Sequence, residues 1–179
     1  VEGLIRQARA KLGTRYADQP ALRVELLTML AGSLIGLTAF DDAESVLQQA
    51  LAEGRQALGP GHLLVLRARI AMANVLAQRK QTDRLAAELP ALLEDLRNTR
   101  GVEPADLIGA YELAAHQAIE QRRFDEAVGH ADKALELVRQ HLSADDPRRV
   151  AASLVPWRCG AASGRMHVCW TCEAYMAER

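Results

Sequence analysis

The residues best suited to chemistry in this chain gather near its C-terminus. Cys159, His167, Cys169 and Cys172 offer four soft metal ligands, and the last two have the C-x-x-C spacing of one zinc half-site. The second half-site pair is missing, and Cys159 with His167 has no familiar ligand spacing. A redox C-x-x-C would need a strand–helix context that the neighbouring sequence does not supply. The residues therefore favour a terminal cap, or a non-native end in place of further repeats, over a metal or redox site.

Other catalytic arrangements have little support. Gly59-Pro60-Gly61 lacks the Lys-Ser/Thr of a phosphate-binding loop, so it indicates a turn. No His-Glu-x-x-His run occurs in the chain. The adjacent carboxylates Asp41-Asp42 and Asp145-Asp146 lie at predicted helix starts, where capping explains them. The sequence thus predicts a protein that is not an enzyme and that binds no cofactor.

The composition favours helices and gives little indication of nucleic acid or membrane partners. Aromatic residues make up 4% of the 179 residues, while Ala and Leu dominate. The formal net charge of −1 does not suit a general phosphate-backbone binder. No apolar run is long enough to span a bilayer and no signal peptide is visible, so we expect a cytoplasmic location. The chain does not begin with Met, from which we expect it to be a fragment of a longer protein.

A pattern that recurs every 42 residues predicts how these helices are organised. Phe40-Asp41-Asp42-Ala43 returns as Phe124-Asp125-Glu126-Ala127, with the looser Thr82-Asp83-Arg84-Leu85 between them. A period of this length indicates a solenoid of stacked helix pairs. Such proteins usually hold partners on an extended surface and perform no chemistry themselves.

Apolar spacing and turn residues divide the chain into antiparallel helix pairs. We expect one of the two aspartates at 41 and 42 to cap the second helix. The predicted helices cover residues 22–37, then a second helix from the aspartate cap to about 58, then 63–79 and 82–97, then 103–121 and 124–142.

The same period predicts five segments along the chain. The first, 1–17, is an orphan second helix of a truncated repeat. Three repeats follow, at 18–60, 61–102 and 103–146. The last segment, 147–179, begins a fourth repeat and passes into a tail with Cys and Trp. In the middle repeat Leu85 and Leu92 take the places of small residues, and Pro90 lies inside the helix. We therefore expect a bent or splayed middle pair.

These repeats resemble tetratricopeptide repeats in the 42-residue form of kinesin light chains and many bacterial regulatory proteins. Ala31, Ala73 and Ala115 match the positions where that family packs its two helices closely. Leu58-Gly59-Pro60-Gly61-His62 is similar to the kinesin-light-chain turn L-G-P-D-H-P. The opening of the chain, at 16–22, is similar to repeat arrays that follow bacterial serine/threonine kinase domains. The resemblance implies an all-α, right-handed superhelical solenoid.

The resemblance also implies a concave groove, lined by the first helix of each pair, that binds a peptide or protein. Asn74 is the leading candidate because an amide bonds both donors and acceptors, although a local cap is the alternative. A lone histidine on a helix, such as His116, is more often solvated or packed than bound to a partner. The implied groove residues are Glu25, Thr28, Gly32, Arg67, Ile70, Asn74, Glu112, His116 and Ile119.

The predicted function is therefore a protein-interaction module, a scaffolding or regulatory part of a larger bacterial-type protein. Arg67 together with Glu25 and Glu112 argues against a strongly acidic or strongly basic ligand. Two alternatives stay open. The chain could self-assemble into a homo-oligomer through exposed solenoid ends, or act as an accessory domain with a zinc-binding Cys/His tail.

Overall fold

The computed structural model describes Gln7, Tyr16 and residues 18–141 of the chain. The continuous range forms six helices and no strand, which confirms the all-α prediction there. The helices are α1 (Pro20–Gly36), α2 (Phe40–Ala57), α3 (Leu63–Gln78), α4 (Thr82–Asn98), α5 (Pro104–Glu120) and α6 (Phe124–His141).

Some of the predicted segments fall outside this range. The orphan helix expected over 1–17, apart from Gln7 and Tyr16, and the tail expected over 147–179 lie outside the described residues. The same holds for the candidate metal ligands Cys159, His167, Cys169 and Cys172.

The described chain divides into two compact units between Val102 and Glu103. In the first unit α1 pairs with α2, α3 pairs with α4, and α3 also packs on both helices of the first pair. The first pair is closely packed because small residues are completely buried in it, namely Ala31, Ala43 and Ala50.

The middle pair is built differently from its neighbours. Leu85 and Leu92 are buried at positions where the other second helices carry alanine. Larger buried side chains at these positions need a wider separation of the two helices, so the splayed middle pair stays a prediction. The helix itself is not interrupted, since α4 runs through the exposed Pro90.

In the second unit α5 and α6 pack against each other through two apolar clusters. One consists of small residues, which allow a close approach of the two backbones: Ala115, Ala118, Ala127 and Ala131. The other consists of larger side chains nearer the far end of the pair: Ile108, Leu135 and Val138.

The 42-residue period is repeated in the backbone of the short turns within each pair. Thr38, Lys80 and Arg122 lie 42 residues apart and have φ of 58°, 55° and 57°, the left-handed conformation. In each turn the next N–H bonds to a carbonyl five residues back, which closes the first helix as in a Schellman motif. These bonds are Ala39 N–Leu34 O at 2.9 Å, Gln81 N–Leu76 O at 2.9 Å and Arg123 N–Ala118 O at 2.8 Å.

The cap predicted at Asp41 or Asp42 was wrong. Helix α2 begins at Phe40 with Ala39 in the cap position, and no side chain there bonds the helix start. Because the turn already ends α1 in this tight motif, the aspartates fall inside the first turn of α2. There they are near the positive end of the helix dipole.

Buried side chains of neighbouring helices lie close to the backbone at Gly54, which gives a testable prediction. A Cβ added at Gly54 would lie 2.8 Å from Val65 Cγ2 and 3.3 Å from Val24 Cγ2, and both valines are fully buried. We expect Gly54→Ala to lower the free energy of unfolding, because overpacking costs about 1–3 kcal/mol and the gain in helix propensity is only about 1 kcal/mol. Gly32→Ala is the matched control. A Cβ there meets nothing within 4 Å, so urea denaturation should show equal or higher stability.

None of the helices in the described range has both the length and the apolar character needed to cross a membrane.

Candidate functional site

Six of the predicted groove residues lie on two neighbouring helices of the first unit. Helix α1 carries Glu25, Thr28 and Gly32, and α3 carries Arg67, Ile70 and Asn74. Of these, Glu25, Gly32 and Asn74 are exposed and the other three are half-buried. Because α1 and α3 pack side by side, the structure brings these six residues onto adjacent helices.

The surface of α1 is open at its glycines. A Cβ built on Gly32 or Gly36 would meet no atom within 4 Å. Asn74 is the residue equivalent to Gly32 one repeat later. The same repeat position is therefore an open backbone on α1 and carries a carboxamide on α3. A ligand chain can therefore approach the α1 backbone closely here.

Two polar side chains of this surface bond to their own helix. Asn74 Nδ2 donates to the Ile70 carbonyl at 3.1 Å, and Thr28 Oγ1 donates to the Val24 carbonyl at 2.8 Å. For Asn74 this is the local contact considered as the alternative to ligand binding. The bond does not use the amide oxygen or the second N–H of the carboxamide, and the side chain lies at the exposed surface.

The second unit carries the other three predicted residues on α5. Ile119 is half-buried and packs against the alanine cluster of α5 and α6. His116 is half-buried and already has an interaction partner. Glu112 is half-buried too, and burial raises the pKa of its carboxyl group. No charged neighbour among the described residues contributes to that shift.

The raised pKa of Glu112 predicts that this residue reduces stability at neutral pH. The folded state holds the proton more tightly than the unfolded state, so stability is lost as pH rises from 4.5, the ordinary value, through the folded pKa. We expect Glu112→Gln to raise the melting temperature at pH 7. The two proteins should converge below about pH 4.5, where the carboxyl group is protonated in both states. Equal melting temperatures across this range would contradict the prediction.

The second unit also holds an aromatic cluster that the sequence did not suggest. The rings of Tyr111 on α5 and His130 on α6 have centroids 6.1 Å apart, and Lys133 Nζ lies 5.7 Å from the Tyr111 centroid. Within the described part of the chain His130 Nδ1 is buried without a hydrogen-bond partner. Burial, followed by Lys133 and Arg123, lowers the pKa of His130, and Glu126 opposes them. His130 is therefore held mainly in its neutral form.

A buried arginine joins the two helices of the middle pair. Arg69 is 7% exposed, and its Nε lies 2.6 Å from Glu88 Oε1 and its Nη1 2.5 Å from Asp95 Oδ2. Burial lowers the pKa of Arg69, but the hydrogen bonds to Asp95 and Glu88 outweigh it and the net pKa is raised. The sequence contained a signal for this buried charge, because Arg69 lies 42 residues after Leu27 in an otherwise apolar register of the first helices.

A second ion cluster ties the first repeat to the next. The buried Glu44 on α2 accepts hydrogen bonds from Arg79 Nη1 at 2.8 Å and from Arg84 Nη1 at 2.9 Å. Arg79 also pairs with Asp41. These contacts connect α2 with the end of α3 and the start of α4, and so help to set where α3 lies beside α1.

The arrangement offers hydrogen bonding and packing to a ligand. Within residues 18–141, as in the rest of the described chain, no group of three or more His, Cys, Asp or Glu side chains is placed to hold a metal ion. The charged clusters around Glu44 and Arg69 instead hold helices together.

Two stretches of the chain match a known family of repeats. The family model for the tetratricopeptide repeat matches residues 24–63 and 118–148. No curated protein sequence matches the chain significantly.

Solved structures share the fold at low sequence identity. BtubC (BKLC) from P. vanneervenii is 19% identical with a TM-score of 0.78, over 99% of this chain and 69% of that one. The nearly identical TPR-like repeats of a kinesin light chain from Podosopora anserina are 18% identical with a TM-score of 0.78, over 89% of this chain and 76% of that one. These likenesses confirm the tetratricopeptide-like, all-α repeat fold, in the kinesin-light-chain-like form predicted from the sequence.

Proposed function

We propose that the surface of α1 and α3 in the first unit binds an extended segment of a protein partner. Tetratricopeptide repeats are in general protein–protein interaction modules and typical non-catalytic scaffolds. The observation that carries the proposal is that α1 has an open backbone at Gly32 while the adjacent α3 has an exposed carboxamide at Asn74, the equivalent position one repeat later. The chain would serve as a scaffolding or regulatory part of a larger cytoplasmic protein.

The other residues of this surface suit a segment of mixed character. Glu25 and Arg67 bring opposite charges, and Ile70 adds an apolar side chain. In the second unit α5 carries the predicted residues Glu112 and His116, both half-buried.

The sharpest test fills the open surface without disturbing the fold. Ligands would be selected from a random peptide phage library, and their affinity measured by fluorescence anisotropy. We expect Gly32→Leu to abolish binding, because the new side chain occupies the ligand's space but meets no protein atom at its Cβ. Gly129→Leu is the matched control, since Gly129 is an exposed glycine on α6 with equally open surroundings.

A second variant tests the amide. Asn74→Ala should weaken binding by about tenfold, the effect of one hydrogen bond of roughly 1.4 kcal/mol, with unchanged helicity. Asn98→Ala, an exposed asparagine on α4, should bind like the parent. If Gly32→Leu, Asn74→Ala and Arg67→Ala all bind like the parent protein, the proposal is wrong.

One observation favours the self-assembly alternative. Met29 and Leu37 on and just after α1 are 63% and 69% exposed, which is high for large apolar side chains on a helix that carries open glycines. Light scattering over a dilution series measures this directly. Self-assembly predicts that the molecular mass falls on dilution and that Met29→Gln with Leu37→Gln removes the larger species.

A further inference from the structure

The three helix pairs differ in chemistry at one equivalent pair of positions on their first and second helices. The 42-residue period aligns Leu27, Arg69 and Tyr111 on the first helices, and Val46, Glu88 and His130 on the second helices. In the first pair both residues are apolar and at most 1% exposed. The middle pair has the Arg69–Glu88 ion pair at 2.6 Å, and the third has the Tyr111–His130 ring contact.

Many other positions are alike in the three pairs, although Leu85 and Leu92 make the middle pair bulkier than its neighbours. Ala31, Ala73 and Ala115 are equivalent and all completely buried, and every second helix presents an apolar stripe to its partner. A chain made of near-equivalent helices can pair a first helix with the wrong second helix, within one molecule or between two. Correct assembly is favoured by contacts that only the native pair satisfies, and an unpaired buried charge discriminates more strongly than a difference in side-chain size.

We propose that Arg69 determines which second helix pairs with α3. Against α2, Arg69 would meet Val46 in place of Glu88, and against α6 it would meet His130, which already has Lys133 close to its cluster. Either exchange leaves the buried Arg69 guanidinium without the Glu88 carboxylate, which is strongly unfavourable.

Asp95 contributes less to this choice than Glu88. The residue equivalent to Asp95 in the first pair is Glu53, a carboxylate that lies 2.5 Å from Arg23 Nη2. A mispaired α3 would replace α1 and Arg23 with it, so Glu53 could still pair with Arg69, and the choice against α2 rests on Glu88. In the third pair the equivalent residue is Leu137, which offers no charge.

The test removes the difference between the first two pairs. Arg69→Leu with Glu88→Val makes the contact apolar, as in the first pair. After refolding from urea at high protein concentration, we expect at least a roughly twofold rise in the fraction of dimers and larger species, formed by exchange of second helices. Size-exclusion chromatography with light scattering measures that fraction relative to the parent protein.

Two further variants make the result decisive. Arg97→Leu with Glu94→Val makes the same change in charge and apolar area at exposed positions of α4, and it should refold like the parent. Tyr111→Arg with His130→Glu places a carboxylate on α6 at the position of Glu88, so this contact no longer excludes α6 as a partner of α3 and larger species should again increase. This second variant decides the matter if the first does not fold. The proposal is overturned if both interface variants refold like the parent, or if the surface control forms as much of the larger species.

Discussion

Neutralising both carboxylates around Arg69, by Glu88→Gln with Asp95→Asn, should lower the free energy of unfolding by about 3–5 kcal/mol. The guanidinium side chain is 9% exposed and bonded to both groups at 2.6 and 2.5 Å. Without them it stays charged inside the middle pair, because its pKa is far too high for deprotonation. Urea denaturation followed by circular dichroism measures the loss.

The matched control removes two carboxylates from the same helix away from the arginine. Asp83 and Glu94 are exposed on α4, and Asp83→Asn with Glu94→Gln should change stability by less than about 1 kcal/mol. Equal losses in the two double variants would show that the effect comes from the net charge of α4 and that Arg69 is not the cause.

The second large effect concerns the position where the middle pair carries leucine and the others carry alanine. Leu92 is completely buried, and Leu92→Ala should lower the free energy of unfolding by about 2–5 kcal/mol because it leaves a cavity. Ala50 is the equivalent residue in the first pair and is also completely buried. Ala50→Leu should lower it by about 1–3 kcal/mol because the helices are too close for the added atoms.

The two substitutions serve as reciprocal controls, since each gives one pair the residue of the other. If both lower stability, the spacing of each pair is adjusted to its own residue. A neutral Ala50→Leu would mean that the first pair can open to accept leucine, and would contradict the expected difference in spacing between the pairs. Denaturation midpoints and slopes in urea distinguish a change in stability from a change in the unfolded state.

Much of the local structure was predictable from sequence. The six predicted helices agree with the observed ones to within two residues at nearly every end. Gly, Pro and the apolar spacing act locally, so their effect can be read without knowing the rest of the fold. The cap at Asp41 or Asp42 failed because the Schellman-type turn at Thr38 starts α2 earlier than a capped helix would begin.

The candidate surface was only partly predictable. The period assigned Gly32 and Asn74 to equivalent positions on successive first helices, and the structure places these helices side by side. It did not indicate that Ile119 packs into the alanine cluster or that Glu112 is half-buried. Burial depends on what neighbouring elements cover, and the period carries no information about that.

The sequence by itself determined the helix pairs, because a 3.6-residue apolar spacing and a 42-residue period are properties of one segment and its copies. Only the tertiary structure decided that Arg69 forms ion pairs with Glu88 and Asp95, and that Glu44 forms ion pairs with Arg79 and Arg84. Long charged side chains can reach several neighbours, so their partners depend on helix spacing and on which charges burial leaves without water. The middle repeat breaks the pattern of the other two. Its ion pairs are therefore the contacts that could least be predicted from the sequence.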